Sequence, residues 1–281
     1  MTQTLKTFYR LTGEEPRVFD KPAEEMQQKQ DHFIMTEKND RRVLSRYIEG
    51  VVTVPRGVEE IGDNAFAWCG EVEWVILPDS VTKIGRGAFY GCTGLTGITI
   101  PDSVTEISAY AFDGCTSLAS VTIPDGVTEI GSYAFAGCTN LSSVTIPDSV
   151  TKIDYFAFNS CTSLESVTIP DSVTMIDSLS FADCSSLKSI TIPGSVTEIG
   201  GSVFSGCTSL KSITIPDGVT KIGYGAFMNC MSLKSITIPD SVTEIGNYAF
   251  LHCHDDLTIK CAPGSCAEEY AKRKGIAHTR I

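Results

Sequence analysis

The chain has 281 residues and carries 34 acidic against 22 basic side chains, a net charge of −12. A chain this acidic lacks the basic footprint that a nucleic-acid backbone or an anionic membrane surface needs, so neither is expected as a partner. No apolar run approaches the roughly 18 residues of a membrane span, and the opening Met-Thr-Gln-Thr-Leu-Lys-Thr-Phe-Tyr-Arg has no apolar core of the kind a secretory signal carries.

Residues 1–30 form a polar extension in which Pro-Ala-Glu-Glu-Met-Gln-Gln-Lys-Gln, residues 22–30, can make a short helix. Residues 31–54 read as a cap: Phe33-Ile34-Met35 and Val43-Leu44-Ser45-Arg46-Tyr47 flank a Lys-Asn-Asp turn, the pattern of a hairpin. The basic and acidic residues of positions 1–50 balance at nine each, so the whole charge excess lies further on.

From Pro55 the chain repeats with a period of 23 residues, and proline returns at Pro78, Pro101, Pro124, Pro147, Pro170, Pro193, Pro216 and Pro239. Strict spacing of this kind predicts a solenoid over residues 55–259, in which each coil buries its apolar face only against its neighbours. With proline as position one, apolar residues fall at positions 4, 7, 11, 12, 15, 18, 21 and 23; in the fourth coil these are Val127, Ile130, Ala134, Phe135, Cys138, Leu141, Val144 and Ile146. Val144 and Ile146 alternate with Ser143 and Thr145, which predicts a strand with one face buried, and the proline that follows stops it. Val-Thr-Glu-Ile predicts a second short strand. Gly-Ser-Tyr-Ala-Phe-Ala-Gly-Cys is expected to form a single helical or 3₁₀ turn that drops the phenylalanine into the core.

The run Leu-x-x-Val-x-Ile followed by Ile-Pro-x-x-Val-x-x-Ile-x-x-x-Ala-Phe-x-x-Cys resembles the BspA-like leucine-rich repeat family. The resemblance covers residues 51 to about 261 and departs from the general leucine-rich pattern in lacking an asparagine ladder. It implies a leucine-rich repeat solenoid, a right-handed β/α-type superhelix of short parallel strands with single 3₁₀ or helical turns, an N-terminal hairpin cap and a C-terminal helical cap. It also implies a binding role, often adhesive and often on cell surfaces, with no catalytic residues to carry over and no cofactor.

Stacking turns each position into a column. Nine of the eleven cysteines, Cys69 to Cys253, stand at position 15. Neighbouring coils lie about one strand spacing apart with parallel side chains, a poor geometry for disulfides, so these thiols are expected to be small buried hydrophobes. The outward strand positions carry two hydroxyl ranks, Ser120 to Ser235 and Thr122 to Thr237. Asp79, Asp102, Asp125, Asp148, Asp171, Asp217 and Asp240 line the turn after the strand, where each is expected to cap the backbone two residues on as an Asx-turn; a ladder of cation-binding carboxylates is the other reading. Lys188, Lys211 and Lys234 line the other end of the strand in the late coils. Position six alternates in sign, as at Glu60, Lys83, Glu106, Glu129 and Lys152, which tunes register.

Departures from the repeat point to where a partner docks. Coil one has Trp74 and Ile76 in place of the outward Ser and Thr, covered by Phe8, Tyr9, Leu11 and Phe19 of the extension or else offered to a partner. Tyr155, Phe156 and Leu179 interrupt the middle coils. The candidate partner-binding residues are therefore Trp74, Ile76, Tyr155, Phe156, Lys188, Lys211, Lys234, Asp217 and Asp240. After the ninth coil, His252, Cys253, His254, Cys261 and Cys266 lack zinc-ligand spacing. Residues 260–281 form the second cap: Ser265-Cys266-Ala267-Glu268 is a capping box, with Lys272, Arg273 and Lys274 in the last turn and Gly275 at the end. No nucleophile elbow, phosphate loop or paired carboxylates suggest catalysis. The expectation is a monomeric, non-catalytic solenoid that binds a protein or glycan, with a structural spacer or a hydroxyl-array binder of ice or crystalline polysaccharide as the alternative.

Overall fold

The computed structural model describes residues 32–38 and 41–48 as backbone strands and residues 50–281 in full. The expected helix at 22–30 and the aromatic residues of the extension lie outside the described residues.

The repeated stretch is a parallel β-solenoid with a short strand on each of two sides of every coil. Positions 20–22 form the strand face, from Trp74–Ile76 in coil one to Ser235–Thr237 in coil eight. Positions 6–7 form the second sheet, nine strands in unbroken parallel order from Glu60–Ile61 to Glu244–Ile245. Each residue pairs with its equivalent 23 residues away, as in Val144 with Val121 and Ile153 with Ile130. The alternation read from the sequence is kept: Val144 and Ile146 are buried, Ser143 and Thr145 exposed. Position 4 then folds back on the proline, whose carbonyl accepts the valine N–H in all nine coils, for example Val127 to Pro124 at 3.0 Å.

Positions 8–15 make a third side, and here the structure differs in detail from a helical turn. The N–H groups at positions 11, 13 and 15 close i→i−3 turns within the coil, as Ala111 to Ser108, Asp113 to Tyr110 and Cys115 to Phe112. Those at positions 10, 12 and 14 instead donate to the next coil: Tyr110 to Ser132, Phe112 to Ala134 and Gly114 to Ala136, the last at 2.7 Å. Positions 10 and 14 are left-handed in every coil, with φ from 54° to 74°. A left-handed residue at each end breaks helical continuity and turns alternate N–H groups outward. The result is a chain of three linked turns that doubles as an inter-coil ladder.

Coils are tied less tightly on the strand face. Its strands fall into three sheets, broken between Gly97–Thr99 and Ser120–Thr122 and between Ser189–Thr191 and Ser212–Thr214. Several bonds entering this face are long, among them Glu165 N to Ser142 O at 3.5 Å and Lys211 N to Lys188 O at 3.4 Å.

The nine position-12 phenylalanines stack through the core with centroids 5.2–6.0 Å apart and planes within 17°. Parallel stacking at this distance follows from coil spacing. Both ends are covered. Strand β1 (His32–Lys38) pairs antiparallel with β2 (Arg41–Ile48), which pairs antiparallel with β3 (Val51–Thr53) and so extends the first face sheet. At the other end, helix α1 (Cys266–Lys274) starts at Ser265, whose hydroxyl accepts the Glu268 N–H, and stops at left-handed Gly275. Glu268 in turn accepts the Gly264 N–H at 2.9 Å and meets Lys272 at 3.0 Å; the Gly264 N–H bond first, and Lys272 second, hold its carboxyl below the usual range. Tyr270 of α1 packs edge-on against Phe250 at 5.9 Å and 74°, closing the phenylalanine stack.

Candidate functional site

The cysteine column is part of the frame. All eleven thiols are free, and from Cys92 to Cys253 each position-15 Sγ donates to the phenylalanine carbonyl of the preceding coil, at 2.9–3.3 Å. That carbonyl already accepts the N–H of its own coil's cysteine, so the thiol fills a second lone pair that the stack would otherwise bury. Burial pushes Cys69, Cys184 and Cys253 up to about 12 and the others of the column upward as well, so they are poor nucleophiles. The spacing revealed the column; the hydrogen bond left no trace in the sequence.

The turn after the strand is closed differently from the expected Asx-turn. Val N–H to Pro C=O closes it, and in four coils the position-three serine hydroxyl, Ser103, Ser149, Ser172 or Ser195, donates to the valine carbonyl of the preceding coil at 2.6–2.7 Å. The aspartate side chains make no such cap among the described residues, because the backbone bond already takes the donor they would use. They stand exposed in a column. Among the described residues, no three His, Cys, Asp or Glu side chains group so as to hold a metal.

The candidate residues fall on two different sides. Trp74 and Ile76 lie on the strand face, 41% and 43% exposed. The Trp74 indole lies over Gly97, where a Cβ would overlap the ring; this is why coil two has glycine where later coils have serine. Lys188, Lys211 and Lys234 flank the other end of the same face, but Lys188 is engaged by Glu165 at 2.7 Å. Lys211 and Lys234 have no carboxylate partner among the described residues. Asp217 and Asp240 are exposed six residues further along the coil, roughly 20 Å away at strand rise. Tyr155 and Phe156 are elsewhere, on the turn side at positions 9 and 10.

On that turn side the sequence reading missed a file of rings. Tyr110, Tyr133 and Phe156 stack at 4.7 and 4.4 Å, with Arg86 over Tyr110 at 5.1 Å. Placing the repeats under one another would have exposed it, since all three occupy position ten. Beside it the half-buried Asp113 carboxyl is pushed up to about 6 by desolvation. On the second sheet, Lys83–Glu106, Glu129–Lys152 and Lys221–Glu244 pair across coils at 3.0–3.2 Å, as the alternating signs predict. Met175 interrupts them, exposed.

Two parallel sheets, a turn ladder and a continuous apolar core define a leucine-rich repeat solenoid, a class of protein-interaction scaffold. The profile of the BspA type leucine rich repeat region matches residues 59–188 and 128–258, in six copies. The chain belongs to that family, whose solenoids are in general non-catalytic. Among solved structures it is similar to a leucine-rich repeat protein from Bacteroides ovatus ATCC 8483, with 29% identity over 82% of this chain and 80% of that one and a TM-score of 0.54. A leucine-rich repeat protein from Eubacterium ventriosum ATCC 27560 is also similar, with 25% identity over 79% and 70% and a TM-score of 0.54. No curated protein matches. Among the described residues no helix is long and apolar enough to cross a membrane.

Proposed function

We propose that this chain is an adhesive interaction solenoid whose strand face binds a protein or glycan partner. The observation that carries the reading is Trp74 with Ile76, two exposed apolar side chains at one end of an otherwise uniform Ser/Thr face. A uniform hydroxyl strip offers many equivalent registers and little specificity, so affinity comes from its irregular ends. At the far end Lys211 and Lys234 stand opposite Asp217 and Asp240, a polarised surface that steers a charged partner.

A glycan array and a pull-down with the intact chain identify the partner. The triple variant Lys188→Glu, Lys211→Glu, Lys234→Glu is then expected to fold as before, associate more slowly and lose salt dependence of association. Trp74→Ser is expected to speed dissociation. Unaltered kinetics in both variants would show that the strand face is scaffold.

A further inference from the structure

Position ten is left-handed in all nine coils, with φ between 54° and 62°. Gly87 and Gly225, or the small Asn64 and Ser202, suit such a backbone. Coils three to six instead hold Tyr110, Tyr133, Phe156 and Leu179 there in an unbroken run, and coil nine holds Tyr248, bulky side chains for which that conformation is costly. Such strain clusters where a surface is used for binding. Ring stacking offsets part of it: Tyr110 on Tyr133 and Tyr133 on Phe156 are within 8° of parallel.

Charge on the turns that carry the file is of one sign. Positions 8–14 of coils three to six contain Asp113, Asp154, Asp177 and Asp183 and no lysine or arginine. Asp154 meets Lys152 at 3.4 Å, and Asp177 sits against the Tyr155 phenol and raises its pKa. The Asp113 side chain has neither ion pair nor hydrogen bond among the described residues. Two cations stand near the file among the described residues: Arg86, seated on the outer face of Tyr110 at 5.1 Å, and Lys152, already held by Glu129 and Asp154.

Ring orientation narrows the chemistry. Each middle face is covered by the next ring, so what the file offers is a strip of ring edges and phenols. A sugar would need an open face to stack on, and a second copy of this chain would bring another net charge of −12. We propose that the turn side of coils three to six is a docking strip for a basic, extended polypeptide segment of a partner, its aliphatic side chains along the ring edges and its cationic heads at Asp113, Asp177 and Asp183. The strip spans three coil steps, roughly 14 Å, the length of about four extended residues. It rests on turn-side residues and on none of the strand face, so it stands or falls separately from that reading.

The probe is a fluorescein-labelled peptide of roughly eight alternating arginines and leucines, long enough to span the strip, read by anisotropy against the same peptide with glutamate for arginine. The variant Tyr110→Gly, Tyr133→Gly, Phe156→Gly places in coils three to five the residue that coils two and eight already have. It is expected to keep its circular dichroism spectrum and to bind the arginine peptide about tenfold or more weakly. Asp113→Asn, Asp177→Asn, Asp183→Asn tests the same strip without touching strained backbone, and is expected to weaken binding and flatten its salt dependence. Asp102→Asn, Asp125→Asn, Asp148→Asn removes equal charge from the aspartate column and is expected to leave affinity unchanged. Equal loss in this last variant would reduce the effect to bulk charge and overturn the proposal. So would absence of peptide binding by the natural chain, or glycan binding or self-association that the glycine variant abolishes.

Discussion

Ser180 is the one serine in a column where most coils have alanine, among them Ala134, Ala157 and Ala226. It is fully buried, and its hydroxyl has no hydrogen-bond partner among the described residues. A buried unpaired hydroxyl costs about 1–3 kcal/mol, so Ser180→Ala should stabilise the chain by about 1 kcal/mol, read as a higher urea midpoint. A lower midpoint would mean that the hydroxyl is satisfied. Asp113 is the opposite case, a carboxyl whose cost depends on pH. Desolvation lifts it from 3.8 to about 6 in the folded chain, so the folded state keeps its proton over a range where the unfolded chain has lost it. Stability from this group is therefore full below pH 3.8, falls as pH rises towards 6, and is level above. Solvent screening of a half-exposed group limits the loss to about 1 kcal/mol. Asp113→Asn should match the natural chain near pH 4 and exceed it near pH 7 in denaturant melts; a constant difference across that range would show that burial does not perturb Asp113.

The phenylalanine stack couples each coil to the next. Phe158 lies between Phe135 and Phe181, at 5.4 Å from each, whereas Phe250 has one parallel neighbour and the edge of Tyr270. Truncating a buried phenylalanine costs about 3–5 kcal/mol, and in a stack with nearest-neighbour coupling the loss at Phe158 weakens two interfaces. Calorimetry of Phe158→Ala should show the larger destabilisation, and small equal effects would contradict inward packing. These core elements were legible because strand alternation and the proline stop are local signals that stacking reinforces. The turn was only half legible. Apolar residues at positions 11, 12 and 15 fit a helical turn, and Tyr133 or Phe156 gives no warning of a left-handed backbone, which such residues disfavour. The available signal was glycine at the equivalent positions, Gly87 and Gly225 at one and Gly91, Gly114 and Gly137 at the other.

At the scale of the whole chain, departures from the repeat consensus were visible one by one, but not which of them share a side. Trp74 and the lysines do lie along one face. Tyr155 and Phe156 were grouped with them because they too break the repeat, and the fold sets them on another side, beside rings from coils that obey the same spacing. Sequence distance of 23 residues thus predicts adjacency well, while position within the coil decides the company a residue keeps.

The end seal has a consequence for reach. Tyr270 meets the last phenylalanine of the stack, and each coil presents that ring in the same way. A chain with one coil more or fewer would offer the cap the same seat, so the molecule can change length only in whole steps of about 4.8 Å. Trp74 in coil one and Lys234 in coil eight are seven such steps apart, roughly 34 Å. A ligand that grips both must match that span, and the solenoid acts on it as a caliper with jaws set by a count of coils.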